Sequence, residues 1–109
     1  MATTLKILGQ SAPNATTETD LYTVPSSTST VASSLIICNR SATSATIRVS
    51  CSAGGGATAN KDYIYYDLTI PGNDTFIATI GLSLATTDKV RVYASTANVS
   101  FSLYGQENT

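Results

Sequence analysis

Histidine and tryptophan are absent from this chain of 109 residues, and charged residues make up only 12% of it. Without histidine, the usual base of a nucleophilic triad and a common zinc ligand are both missing. The net charge of −1 provides no basic patch for binding nucleic acid. No pair of carboxylates has a spacing suited to acid–base catalysis. The sequence therefore predicts a protein that is not an enzyme and needs no cofactor or metal, small-molecule substrate or nucleic acid.

Long apolar runs are also absent. No run approaches the roughly 18 residues needed to cross a bilayer. The N-terminal cluster of Leu5, Ile7 and Leu8 is too short and too polar for a signal peptide. We therefore expect a soluble chain with no signal peptide and no membrane partner.

Serine and threonine are abundant, at 32 residues, and alanine adds 13. Hydroxyl groups must therefore solvate a surface that has few charges. Such a surface is tolerable when partner subunits cover much of it. The composition favours a component of an assembly.

Short runs rich in β-forming residues alternate with Gly, Pro, Asn, Ser and Thr, and no helical periodicity appears. The predicted strands are 3–9, 19–25, 31–39, 45–52, 62–70, 75–83, 88–95 and 98–105. About eight strands at this spacing predict an all-β fold, a single-domain antiparallel β-sandwich or jelly roll spanning residues 1–109. Residues 1–17 are expected to include an extended N-terminal arm, and residues 105–109 a short polar tail.

Two hairpins follow from the alternation of side chains. The first pairs 31–39 with 45–52, and the second pairs 88–95 with 98–105. In the first, Ser34, Ile36 and Cys38 share the apolar face with Ile47, Val49 and Cys51. In the second, the apolar face consists of Val90, Val92, Ala94, Val99, Phe101 and Leu103.

The first hairpin decides how the two cysteines are interpreted. Its register places Cys38 and Cys51 four ladder positions apart, on the order of 13 Å along the strands. A disulfide requires Cα atoms within about 7 Å, so no bridge is expected. With no histidine in the chain, we predict two small buried hydrophobic residues.

Residues 62–84 hold two apolar segments separated by the sequence Pro-Gly-Asn-Asp. Alternation puts Ile64, Tyr66, Leu68 and Ile70 on one apolar face, and Phe76, Ala78, Ile80 and Leu82 on another. A four-residue loop would place Phe76 on the wrong face if the two strands paired. Either a longer loop or a bulge corrects the register, or the strands belong to opposite sheets.

Two groups of residues are candidates for contacts with a partner. Gly54, Gly55 and Gly56 lie in a predicted flexible, exposed loop from about 52 to 61, because no helix or Lys-Ser/Thr follows to form a phosphate loop. Tyr63, Tyr65 and Asp67 share the polar face of a strand. Aromatic rings beside a carboxylate suit a glycan, whereas packing against the sheet or a partner subunit is the more ordinary role.

The segments IPGNDTFIATIGL at 70–82, VRVYAS at 90–95, LKILGQ at 5–10 and LYTVP at 21–25 together resemble a family of small virion structural proteins of tailed bacteriophages. The resemblance spans nearly the whole chain. It implies a capsid cement or decoration protein, made in the host cytoplasm and placed on the virion surface, as described for cyanobacterial phages. Its partners would be the major capsid protein and copies of itself, as a dimer or trimer. The alternative is a tail, baseplate or fibre module that binds a host receptor or glycan.

Overall fold

The computed structural model describes residues 2–109, and 3₁₀ turns at Ala53–Gly55 and Asn60–Asp62 are the only helical segments within that range. Eight strands account for most of the rest: β1 (Thr3–Ser11), β2 (Thr19–Thr23), β3 (Ser29–Asn39), β4 (Ala45–Ser52), β5 (Tyr63–Ile70), β6 (Thr75–Leu84), β7 (Lys89–Ala94) and β8 (Val99–Asn108). All eight predicted strands are confirmed to within a few residues at their ends.

The strands form two antiparallel sheets that pack face to face as a β-sandwich. Sheet A has the order β1-β8-β3-β6, and sheet B has the order β2-β7-β4-β5. Only β4 and β5 are consecutive in the chain and adjacent in a sheet, so every other connection crosses between the sheets. This is the connectivity of a jelly roll. The predicted all-β sandwich is confirmed.

Both predicted hairpins are wrong. The strand β3 pairs with β6 and β8, whereas β4 pairs with β5 and β7, so the first supposed hairpin joins opposite sheets. The same holds for β7 and β8. Alternation identifies which side chains share a face, but a loop of about four residues can close a hairpin or cross the roughly 10 Å between packed sheets.

The connection between β5 and β6 crosses from one sheet to the other. This was one of the two explanations that we gave for the mismatched faces of residues 62–84. The strand β5 lies at the edge of sheet B, and β6 lies at the edge of sheet A. The turn between them is held against the β3–β4 loop, where the Asn73 amide donates to the Ser41 carbonyl at 2.8 Å. A Cβ atom at Gly72 would collide with the Ala42 carbonyl oxygen, so only glycine fits this approach.

The core lies between the sheets and draws on all eight strands. Its fully buried side chains include Phe101, Leu35, Ile37, Ile47, Ile70, Leu103, Val49, Val90, Val92 and Val99. The inward faces predicted for β6, β7 and β8 are confirmed. The inward face predicted for β3 is wrong: Leu35 and Ile37 point inward, and Ile36 and Cys38 lie half-exposed on the outer face. Both faces of β3 carry large apolar residues, so alternation alone could not choose between them.

Two buried polar groups join the sheets at opposite ends of the sandwich. At one end, the Asn39 Nδ2 donates to the carbonyls of Thr43, Ile70 and Pro71, and its Oδ1 accepts from the Ser41 amide. At the other end, the Tyr22 hydroxyl donates to Glu107 at 2.6 Å. Buried polar groups must be hydrogen-bonded, and both of these are.

The chain ends form part of the sheet. Residues Thr3–Ser11 form an edge strand, and Ala2 and Thr109 exchange backbone hydrogen bonds at 3.0 and 2.9 Å. The tail expected at 105–109 instead continues β8 through Asn108, paired on both sides by β1 and β3. No helical segment in residues 2–109 has the length and apolar character needed to span a membrane.

Candidate functional site

The outer face of sheet B carries a cluster of aromatic rings around one guanidinium group. Arg48 on β4 lies opposite Tyr93 on β7 in the ladder. Its guanidinium carbon lies 4.3 Å from the centroid of the Tyr66 ring and 4.6 Å from that of the Tyr93 ring. An arginine this close to two tyrosine rings gains cation–π attraction from both of them. We call Arg48, Tyr63, Tyr66, Asp67 and Tyr93 the arginine–tyrosine cluster.

Asp67 completes the cluster through a two-point ion pair. The Arg48 Nε donates to Asp67 Oδ1 at 2.8 Å, and a second guanidinium nitrogen donates to Oδ2 at 3.4 Å. These bonds raise the pKa of Arg48 above its ordinary value. Asp67 has a φ of 53°, at a break in the β4–β5 register. The break therefore changes the side-chain alternation of β5 at this position.

The altered alternation separates the aromatic residues that were expected to act together. Tyr65 turns toward the interior, where its ring meets Phe76 edge to face at 5.5 Å. Tyr66 takes the outward position, 58% exposed, and packs edge to face with Tyr63 at 4.8 Å. The predicted grouping of Tyr63, Tyr65 and Asp67 is therefore wrong for Tyr65.

The charged and aromatic groups of the arginine–tyrosine cluster already have partners within the cluster. The guanidinium occupies one side of Tyr66, Tyr63 packs against the same ring, and the only carboxylate is ion-paired. A sugar-binding platform needs an aromatic face that is free to stack, together with polar groups free to bond hydroxyls. The geometry therefore favours a role in holding strands β4, β5 and β7 together.

The glycine loop is fixed by one partly buried guanidinium. Arg91 on β7 donates to the carbonyls of Gly55 and Gly56, and also to the hydroxyls of Ser52 and Thr58. The Gly54 amide donates to Asp88 at 2.8 Å. The loop is exposed, as predicted, but these bonds hold it in a defined conformation. Gly54 and Gly55 have φ values of 67° and 71°, which explains the choice of glycine there.

The other charges on the outer face of sheet B are also paired. Asp20 accepts from Lys89 and Arg91, each at 2.9 Å. These bonds lower the pKa of Asp20, and the bond from Lys89 has the largest effect. The predicted apolar face of residues 88–95 leaves Lys89, Arg91 and Tyr93 pointing outward, but nothing in the sequence indicated that Tyr93 contacts Arg48. That contact depends on β4 pairing with β7, which alternation does not reveal.

The outer face of sheet A has a different character. Its strands present Ser, Thr, Gln, Asn and apolar side chains outward, and within residues 2–109 none of these outward strand positions is charged. Its large exposed apolar side chains are Leu5 (78% exposed), Ile77 (67%), Ile7 (50%) and Val31 (38%). Half-buried Tyr104 and Ile36 lie between them in the ladder. We call this surface the apolar face.

A shallow depression of about 310 Å³ opens at the β1–β8 side of the apolar face. It is lined by Gln10, Ser11, Ala12, Ser100, Phe101 and Ser102. Its polar lining consists of hydroxyl, amide and backbone groups, with no ionisable side chain. Such a lining is suited to contact with another uncharged surface.

Both cysteines are free, as predicted, although each is half-buried and not fully buried. Burial raises the pKa of the Cys51 thiol, which keeps it protonated and poorly nucleophilic. Among residues 2–109, no group of three or more His, Cys, Asp or Glu side chains is placed to hold a metal ion. No family model matches the chain, and no curated protein matches it.

Proposed function

We propose that this chain is a virion structural protein of a tailed phage, a cement or decoration protein that binds the outside of the capsid between capsomers. The observation that carries the proposal is the apolar face, a whole sheet surface with four large exposed apolar side chains and no outward charge on its strands. Exposed apolar patches of this kind mark surfaces that bind other proteins. The resemblance to small phage proteins is the reason for proposing a phage capsid as the partner of this surface.

The physical task of a cement protein suits this architecture. Each copy adds contacts across a joint between capsid subunits, and many identical interfaces sum to a large mechanical effect. A stable specific contact buries roughly 1,000 Å² or more in total, which a four-stranded sheet face can supply. A second sheet supports that face from behind, and buried Asn39 and the pair Tyr22–Glu107 join the two sheets.

Deletion of the gene tests the proposal. Particles lacking the protein are expected to assemble but to lose packaged DNA at a lower temperature than wild-type particles. Supplying the purified chain to those particles should restore their heat resistance. Deleted and wild-type particles of equal heat resistance would refute the cementing role.

The alternative is a tail or fibre module that binds a host glycan, and the exposure of Tyr66 and Asp67 is the observation in its favour. Their mutual packing and pairing with Arg48 weigh against it. Counting copies per virion separates the two roles, because shell symmetry requires on the order of hundreds of copies whereas tail symmetry requires tens or fewer. Retention on a glycan array that is lost in Tyr66→Ala would favour the alternative.

A further inference from the structure

The four edge strands of the sandwich differ in how they are protected from pairing with another chain. Exposed edges are commonly protected by charged residues, proline, a bulge or short length. The strand β1 contains Lys6, which binds Glu107. The strand β2 has only five residues and contains Asp20, and β5 has the Asp67 bulge. Each of these three edges therefore carries at least one protective feature.

The strand β6 is the exception over its first half. It has ten residues, with no charged residue and no proline, and β3 is its only ladder partner. A break in register at Ile80 and Gly81, where Gly81 has a φ of 55°, bends its second half. Residues 75–79 remain as a regular, uncharged edge of high β-propensity. Such a segment pairs readily with another strand unless it is protected.

The sequence of this segment is complementary to itself. An antiparallel pair centred on Ile77 would set Thr75 against Thr79 of a second copy, and Phe76 against Ala78. The two Ile77 side chains would then meet on the apolar face. Phe76 thus opposes the smaller Ala78, threonine hydroxyls oppose threonine hydroxyls, isoleucine opposes isoleucine, and no like charges meet.

The neighbouring strand extends this match. Ile36 pairs with Ile77, Cys38 with Thr75 and Ser34 with Thr79 within one chain. A second copy would therefore continue each ladder row with a residue of the same character. The central row would place Ile36 and Ile77 beside the same two residues of the other copy, as a continuous apolar strip.

We propose that two copies of this chain dimerise through β6, by antiparallel pairing of residues 75–79 about a two-fold axis at Ile77, to form a continuous eight-stranded sheet. Direct antiparallel pairing of one strand with itself requires two-fold symmetry, so the unit is a dimer. The proposed dimer depends on the β6 edge alone, so an experiment that refutes the capsid role would not refute the dimer.

Sedimentation velocity over roughly 1 µM to 1 mM tests the dimer across the range of ordinary affinities. The wild-type chain is expected to reach twice its monomer mass of 11.3 kDa. Ile77→Lys places two like charges at the axis and should leave a monomer. Leu5→Lys is the matched control, because Leu5 is equally apolar and exposed at the opposite edge of the same face. It should remain dimeric.

Cross-linking tests the register. Ile77→Cys should form an inter-chain disulfide under mild oxidation, because a directly opposed pair brings Cα atoms within the distance a disulfide needs. Ser83→Cys lies six residues from the axis, so its two copies would be about 40 Å apart and should not cross-link. Native Cys38 and Cys51 are common to both variants. A monomeric wild type, a dimeric Ile77→Lys chain, or equal cross-linking at positions 77 and 83 would overturn the proposal.

Discussion

The two outer faces of the sandwich differ in how completely their side chains are satisfied within the chain. The outer face of sheet B carries five charged residues, and all of them are ion-paired: Arg48 with Asp67, and both Lys89 and Arg91 with Asp20. The outer face of sheet A carries no outward charge on its strands in the part of the chain that the structure describes, and it exposes four large apolar side chains. Interactions on the outer face of sheet B stabilise the protein itself, whereas the exposed side chains of the apolar face contribute little to folding and are the basis of the proposed binding role.

Both faces lie over one core, and the largest expected effect comes from that core. Phe101 on β8 is fully buried, so Phe101→Ala should cost about 3–5 kcal/mol of unfolding free energy through lost burial and a cavity. Denaturant melts followed by tyrosine fluorescence and by far-UV circular dichroism should shift together, because the sheets unfold as one unit. Ser102→Ala, which changes an outward position on the same strand, is the control. A loss near zero for Phe101→Ala would show that the inward face is wrongly assigned.

Truncating one exposed residue on each face should have unequal effects on stability. Tyr66→Ala removes an aromatic pair and a cation–π contact, so a loss of about 1–2 kcal/mol is expected. Leu5→Ala removes a side chain with few partners and should change stability by less than about 0.5 kcal/mol. Urea denaturation of both variants measures the difference. Equal losses would show that the apolar face contributes as much to stability as the arginine–tyrosine cluster does.

Acid should remove the stabilisation that the ion pairs of Asp20 provide. Lys89 and Arg91 lower the pKa of Asp20, so its contribution is complete above the ordinary carboxyl pKa near 4 and is lost as pH falls through the lower folded-state value. A surface pair of this kind contributes about 0–1 kcal/mol. The melting temperature should therefore fall between pH 5 and pH 2, by less in Asp20→Asn than in wild type. The melting temperature of Asp20→Asn should still fall somewhat, because the bond from Tyr22 lowers the pKa of Glu107 and that bond is also weakened by acid. Identical profiles would contradict a stabilising role for Asp20.

Alkali should break the buried link between the sheets. Burial and Glu107 raise the pKa of Tyr22 to about 12. The neutral phenol therefore stabilises the fold fully below the ordinary tyrosine pKa near 10, and that stabilisation is lost as pH rises toward 12. Tyr22→Phe should be less stable than wild type at pH 7 and should lose less stability between pH 10 and pH 12. Tyr104→Phe, on the apolar face, is the control and should follow the wild-type profile.

The sequence predicted the strands and most inward faces because alternation and turn residues are local properties. Strand partners are not local, and both expected hairpins were therefore wrong. The bulge at Asp67 places Tyr65 inward and Tyr66 outward, and a strict two-residue alternation of side chains cannot predict such a change. The crossover after Ile70 was among the predicted alternatives because its faces did not match, so a mismatch in alternation can carry information on topology.

Asn39 shows a second limit. A polar residue at a strand end ordinarily faces solvent, yet Asn39 is 1% exposed and donates to three carbonyls. Its role depends on the turn at 71–74 packing against the β3–β4 loop. Only the assembled fold brings those segments together.

Binding of purified chain to capsids that lack it tests the role of the apolar face most directly. Val31→Lys places a charge outward on the inner strand β3 of that face, and Thr69→Lys places the same charge outward on β5 of sheet B. We predict that Val31→Lys binds at least tenfold more weakly than wild type and that Thr69→Lys binds as wild type does. Normal binding by Val31→Lys, together with weakened binding by Thr69→Lys, would contradict the assignment of the partner surface to sheet A.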